Sequence, residues 1–152
     1  MANLFPQANN NIVPLDNMKK NTPIGYKRSL KFDDETGDFV RDGQNRIVSS
    51  SGIEAWKEWC IKCLTTERYA FSSYSTDFGI NTRLIFSLPD RAAQELMLKK
   101  EITEALMADD YKRTQSVSNF EFNWFAADAV EVTCTVKGLE NAEIDLRAKI
   151  GG

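Results

Sequence analysis

From Ser29 onward the apolar residues recur with two periods, and the change of period divides the chain into elements. Leu30 and Phe32, then Phe39, then Ile47 flank the turn clusters Asp33-Asp34-Glu35-Thr36-Gly37 and Asp42-Gly43-Gln44-Asn45. Short apolar runs broken by Asp, Asn and Gly predict a small β-meander. Ser51 followed by Glu54 is a capping-box signature, so a helix is predicted to begin there. Trp56, Cys60, Cys63 and Leu64 fall on its apolar stripe, with Trp59 at the margin, and it should end near Thr65.

Ser87-Leu88-Pro89-Asp90 offers a cap serine, a first-turn proline and a first-turn acid, predicting a second helix to about Met107. Leu98, Ile102, Ala105 and Leu106 give it an apolar face, while Lys99, Lys100 and Glu104 are placed toward water. Three alternating runs follow: Phe120, Phe122, Trp124; then Val130, Val132, Cys134, Val136; then Ile144, Leu146, Ala148, Ile150. Each predicts a strand with one buried and one wet face. The order ββ-α-(loop or strands)-α-βββ defines an α+β domain, with a small mixed or antiparallel sheet, two main helices, an N-terminal β-meander and a C-terminal three-stranded antiparallel segment. Its core is expected where Trp56 and Leu64 meet Phe122 and Trp124.

Residues 1–27 differ. They hold Asn9-Asn10-Asn11, prolines 6, 14 and 23 and only isolated apolar anchors such as Ile12, Val13 and Leu15. Proline removes backbone donors and asparagine competes for them, so an extended arm is expected there, either a disordered leader or a segment that orders against a neighbour. Residues 28–152 are then a single domain.

Composition narrows the chemistry. The 152-residue chain contains no histidine, which removes His-activated nucleophiles, His-ligated zinc and an imidazole pH switch. Its 19 basic and 22 acidic residues leave a net charge of -3, a poor match to phosphate backbones or anionic lipid, so neither nucleic acid nor membrane is an expected partner. No apolar run approaches the roughly 18 residues that would span a bilayer. The first residues carry no basic run leading into an apolar one, which suggests a cytoplasmic product. Cys60, Cys63 and Cys134 are an odd set for a disulfide framework. Cys60-Ile61-Lys62-Cys63, at helical spacing on the apolar stripe, reads as core rather than as half a metal site. No cofactor and no metal are expected.

The most distinctive stretch lies between the helices: Thr65-Thr66-Glu67-Arg68-Tyr69-Ala70-Phe71-Ser72-Ser73-Tyr74-Ser75-Thr76-Asp77-Phe78-Gly79. With the preceding helix it resembles the baseplate wedge proteins of contractile phage tails, the small sheath-initiator family whose members are often labelled lysozyme-like. In that family a helix runs into a Gly-Glu-Arg or Thr-Glu-Arg element and an Asp-Phe-Gly or Asp-Tyr-Gly turn follows about ten residues later; here these are Thr66-Glu67-Arg68 and Asp77-Phe78-Gly79. The PBSX-like prophage branch, with its Phe/Asp-rich hairpin before the helix, is the nearest in pattern. The family also carries a Glu-Pro-Arg tripeptide after the second helix. This sequence departs from it with Asp110-Tyr111-Lys112-Arg113, an acid and an arginine without the proline.

The resemblance implies a structural role, in multiple copies in a ring, among sheath, wedge, hub and tube proteins of a baseplate assembled in a bacterial host. It also implies nucleation of the sheath by strand addition; the run 142–150, with Ile144, Leu146, Ala148 and Ile150, reads either as the donor or acceptor edge for that or as an ordinary edge strand protected by Asp145, Arg147 and Lys149. Proline at Leu146 and Ala148, or deletion of residues 143–152, is expected to spare the core. Glu67 and Arg68 read either as a solvated ion pair or as members of a polar cluster with Asp110 and Arg113. Asp77-Phe78-Gly79 reads as a turn with Phe78 in the core, or as a partner contact through Asp77. Glycoside hydrolysis needs two carboxylates held across a cleft, one with a raised pKa; scattered acids in an acidic chain do not supply that, and no catalysis is expected. A second reading, from another class, is a small adaptor that binds one soluble host partner.

Overall fold

In the computed structural model the described residues are 25–33 and 35–152, so the expected arm up to residue 24 lies outside them. Tyr26, within the expected arm, packs against residues of the expected domain. Its ring packs on Trp56 with centroids 5.3 Å apart, and its hydroxyl donates to the Leu139 carbonyl at 2.6 Å.

The meander forms from four two-residue strands: β1 (Ser29–Leu30), β2 (Phe32–Asp33), β3 (Asp38–Phe39) and β4 (Ser49–Ser50). β1 pairs with β4 and β2 with β3, both antiparallel. Three backbone bonds meet between the pairs, with Lys31 N–H donating to Val48 O, Val48 N–H to Val40 O and Val40 N–H to Lys31 O. A cluster this short cannot stand alone. It leans on the first helix, where the Lys31 ammonium meets Glu54 at 2.8 Å and Ser50 donates to Glu58 at 2.7 Å.

That helix, α1 (Gly52–Thr65), starts and ends as expected and buries Ala55, Trp56, Cys60, Cys63 and Leu64. The capping box does not close. Ser51 occupies the cap position without a side-chain bond, and Glu54 is drawn to Lys31 instead.

A five-residue helix, α2 (Thr82–Phe86), follows where loop or strands were expected. It also corrects the start of the next helix, because Ser87 caps the end of α2, donating its hydroxyl to Leu84 O at 2.7 Å. Helix α3 (Arg91–Met107) begins four residues later, with Asp90 accepting from Ala93 N–H at 3.3 Å. Pro89 disfavours helical geometry at Leu88, so the first acceptor able to cap is Asp90 rather than Ser87.

Strands β5 (Thr114–Ala126), β6 (Ala129–Gly138) and β7 (Glu143–Gly151) form one antiparallel sheet in the order β5-β6-β7. Val130, Val132, Cys134 and Val136 of β6 and Ile144, Leu146, Ala148 and Ile150 of β7 are buried on one face. Helix α1 lies against β7 and α3 against β5. The expected core pairing is therefore corrected. Phe122 and Trp124 belong to the α3 side, where Arg91 stacks 3.7 Å from the Trp124 ring centre and Glu95 accepts from its indole N–H at 2.9 Å. Trp56 instead ends against Tyr26 and Gly138 and donates to Thr114 Oγ1 at 3.2 Å. Helix α1 packs chiefly on β7, and Trp56 reaches β5 at its Thr114 end, away from Phe122 and Trp124.

Candidate functional site: two buried ion pairs and an open strand edge

The Thr66-Glu67-Arg68 element leaves α1 as an extended strand-like segment. It pairs in parallel with Ile80, the residue after the Asp77-Phe78-Gly79 turn: Ile80 N–H donates to Thr66 O at 2.9 Å and Arg68 N–H to Ile80 O at 3.0 Å. Gly79 is required at that contact. Its φ is +93°, a region that disfavours side chains, and a Cβ there would stand 2.7 Å from the Thr66 carbonyl. Phe78 turns inward to stack on Tyr74, 4.4 Å between centroids, and meets Trp59 edge-on, while Asp77 is exposed.

Glu67 and Arg68 are fastened separately. The Glu67 carboxylate accepts from the backbone N–H and hydroxyl of Thr82, holding the start of α2. The Arg68 guanidinium donates to Gly79 O at 3.1 Å and pairs with Glu101 at 3.3 Å. Glu101 is 5% exposed on the inner side of α3 and also accepts from Asn81 N–H at 3.2 Å. One buried carboxylate thus ties three segments together.

Arg113 takes part in a second pair, and its partner is Asp109. The guanidinium meets Asp109 at 2.7 and 3.1 Å, both residues being almost wholly buried, and Arg113 N–H donates to the same carboxylate at 3.1 Å. Asp110 is exposed. The single cluster of Glu67, Arg68, Asp110 and Arg113 is therefore corrected to two ion pairs with other acids. A carboxylate one turn from the arginine can close a fork around it, whereas its neighbour Asp110 faces water.

Sequence reasoning missed Glu101 and Asp109. Glu101 carried a signal: with Leu98, Ile102 and Ala105 it shares the i, i+3, i+4, i+7 face expected to be apolar, and a charge there needs a buried partner. Among the described residues no buried side-chain nitrogen or oxygen is left unpartnered.

The expected strand-addition residues Ile144, Leu146, Ala148 and Ile150 are buried in the chain's own core. What β7 leaves open is its backbone. Gly138 N–H donates to Ala142 O and Gly152 N–H to Asp128 O, which sets the phase of the ladder. Even-numbered residues of β7 exchange bonds with β6, so the N–H and C=O groups of Glu143, Asp145, Arg147 and Lys149 point away from it. Among the described residues nothing pairs with that side. Proline at Leu146 or Ala148 would therefore break the chain's own ladder, and deletion of residues 143–152 would strip four residues from the core.

The three thiols are buried and reduced. Burial pushes Cys63 and Cys134 up to about 11, and Cys60 further still, so none is poised as a nucleophile. A shallow cleft of about 260 Å³ opens between Trp59, Tyr74, Phe78, Asp110 and Tyr111. No helix of the described residues is long and apolar enough to cross a membrane.

Two buried ion pairs thus join these segments, and among the described residues the outer edge of β7 is unpaired. In comparison with known proteins, residues 28–141 match the model of the contractile injection system sheath initiator, and the chain belongs to that family. It is also 28% identical over 130 residues to the phage-like element PBSX protein XkdS of Bacillus subtilis (strain 168), covering 84% of this chain and 85% of that protein. The family is one of structural proteins of a contractile tail, and its role implies contact with sheath and baseplate components.

Proposed function

We propose that this protein is a baseplate wedge component, present in several copies in a ring around the hub and tube, that starts the sheath by offering β7 to a strand of the first sheath subunits. The observation that carries the reading is the run of outward backbone groups at Glu143, Asp145, Arg147 and Lys149. An unpaired edge binds another chain through main-chain hydrogen bonds, with alternate side chains setting register. Of the acids singled out above, Asp77 and Asp110 are exposed and available to a wedge neighbour, whereas Glu67 is held by Thr82. Glu67, Arg68 and Arg113 act one step back, keeping the loops beneath them in shape.

The test is Arg147→Pro. It removes one outward donor while leaving the ladder to β6 intact, because proline is tolerated where no bond is made. Electron microscopy of particles assembled with this variant should show baseplates without polymerised sheath. Normal-length sheaths on those baseplates would overturn strand addition.

A further inference from the structure

The outer side chains of β7 run Glu143, Asp145, Arg147, Lys149, two acids and then two bases, all exposed. These are also the residues whose backbone groups point off the sheet. An order of this kind is its own complement when reversed. Laid antiparallel against a second β7 with Leu146 opposite Leu146, Glu143 faces Lys149 and Asp145 faces Arg147, and each pair occurs twice. Ile144 then faces Ala148 on the inner side, so the apolar layer continues across the junction.

We propose that two copies of this chain pair through β7 in that register, about a twofold axis at Leu146, making one six-stranded sheet. The charges specify the register. A slip by two residues in either direction sets Asp145 against Asp145 or Arg147 against Arg147, and like charges directly opposite are unfavourable. A slip by one residue puts inner against outer side chains and misaligns the bonding groups. Hydrogen-bonded pairs in the favoured register join odd-numbered residues to odd-numbered ones, as the outward groups require. The intrachain bridge from Arg147 to Glu131 at 2.6 Å leaves Arg147 72% exposed and so still able to meet an acid of a second copy. A symmetric interface of this self-complementary kind is the commonest route to a homodimer. Pairing with a second copy and with a sheath strand exclude each other, so the dimer would keep the edge covered until a baseplate claims it.

Sedimentation equilibrium of the whole chain, from micromolar to millimolar, tests this. The wild type should show a monomer–dimer equilibrium that weakens between about 0.1 and 1 M salt as the Debye length shrinks from about 10 to 3 Å. Arg147→Glu with Lys149→Glu makes the outer row wholly acidic, and Glu143→Lys with Asp145→Lys makes it wholly basic. Each variant alone should dimerise at least about tenfold more weakly, while their equimolar mixture should form a heterodimer. Exchanging all four charges together restores self-complementarity and should restore the homodimer. A wild type monomeric throughout the range overturns the proposal, as does a mixture that stays monomeric. Either result would leave strand addition to the sheath standing, since the particle experiment reads that separately.

Discussion

Trp56 closes over the backbone of Gly138. A Cβ at that position would stand 2.7 Å from the indole Cζ3 and 2.7 Å from the Tyr26 hydroxyl oxygen. The backbone of Gly138 is ordinary extended chain, so its glycine is demanded by the ring above it and not by the local angles. Gly138→Ala should therefore cost about 1–3 kcal/mol through overpacking, whereas Gly43→Ala, with open space around it, should be close to neutral. Urea midpoints of the two variants measure the difference, and equal values would show that the indole is free to move aside.

The Arg68–Glu101 pair calls for a double-mutant cycle. Glu101→Ala leaves a nearly buried guanidinium without its carboxylate and also strips the acceptor from Asn81 N–H; a loss of about 3–5 kcal/mol is expected. Arg68→Met combined with Glu101→Leu should be much less damaging than the sum of the single changes. Additive losses would place the pair among solvated bridges such as Lys100–Glu104.

High pH should weaken the fold through its thiols. Cys63 and Cys134 release their protons near 11 when folded, against an ordinary value of 9.0. Between those values the unfolded chain has lost protons that the folded chain still holds, so stability falls as pH rises through this window. The loss is up to about 1.4 kcal/mol per pH unit for each thiol. Cys134→Val should lose less stability than the wild type between pH 9 and 11, both followed by urea unfolding; parallel slopes would exclude this thiol as a cause.

Proline scanning of β7 should read out the phase of its ladder. Leu146→Pro removes a donor to Cys134 and disturbs a fully buried residue, so the variant should be strongly destabilised or unfolded. Arg147→Pro, one residue along, should keep a cooperative thermal transition. If both variants unfold alike, the outward assignment of Arg147 is wrong.

The periodic parts of the fold were legible. Apolar stripes at helical spacing identified α1 and α3, and strict alternation identified β6 and β7, because in each case one face is buried. Pairing between elements was not. Nothing along the chain says whether α1 packs on β5 or β7, since both offer apolar residues and the choice rests on how three strands and two helices pack together. Helix α2 was missed because five residues hold too few repeats to show a period. Its capping residue Asn81, which accepts from Leu84 N–H at 3.2 Å, was the available clue. Among the site residues, Arg68 and Arg113 were picked out from the sequence, but their acids were not. The acidic partner of an arginine is a matter of three-dimensional reach, and Asp109 and Asp110 differ by one position along the chain.

The seclusion of Cys60, Cys63 and Cys134 has a practical corollary. They are all the cysteines the chain has, and each lies in the interior as an unreactive thiol. Toward maleimides and similar reagents at neutral pH the native molecule is chemically blank. A single cysteine introduced at an exposed position such as Leu96 would therefore take up a fluorophore or a spin label alone, without first stripping the native thiols from the core. The same three residues offer a built-in reporter of the opposite kind, since their labelling would mark a molecule whose α1 or β6 has opened.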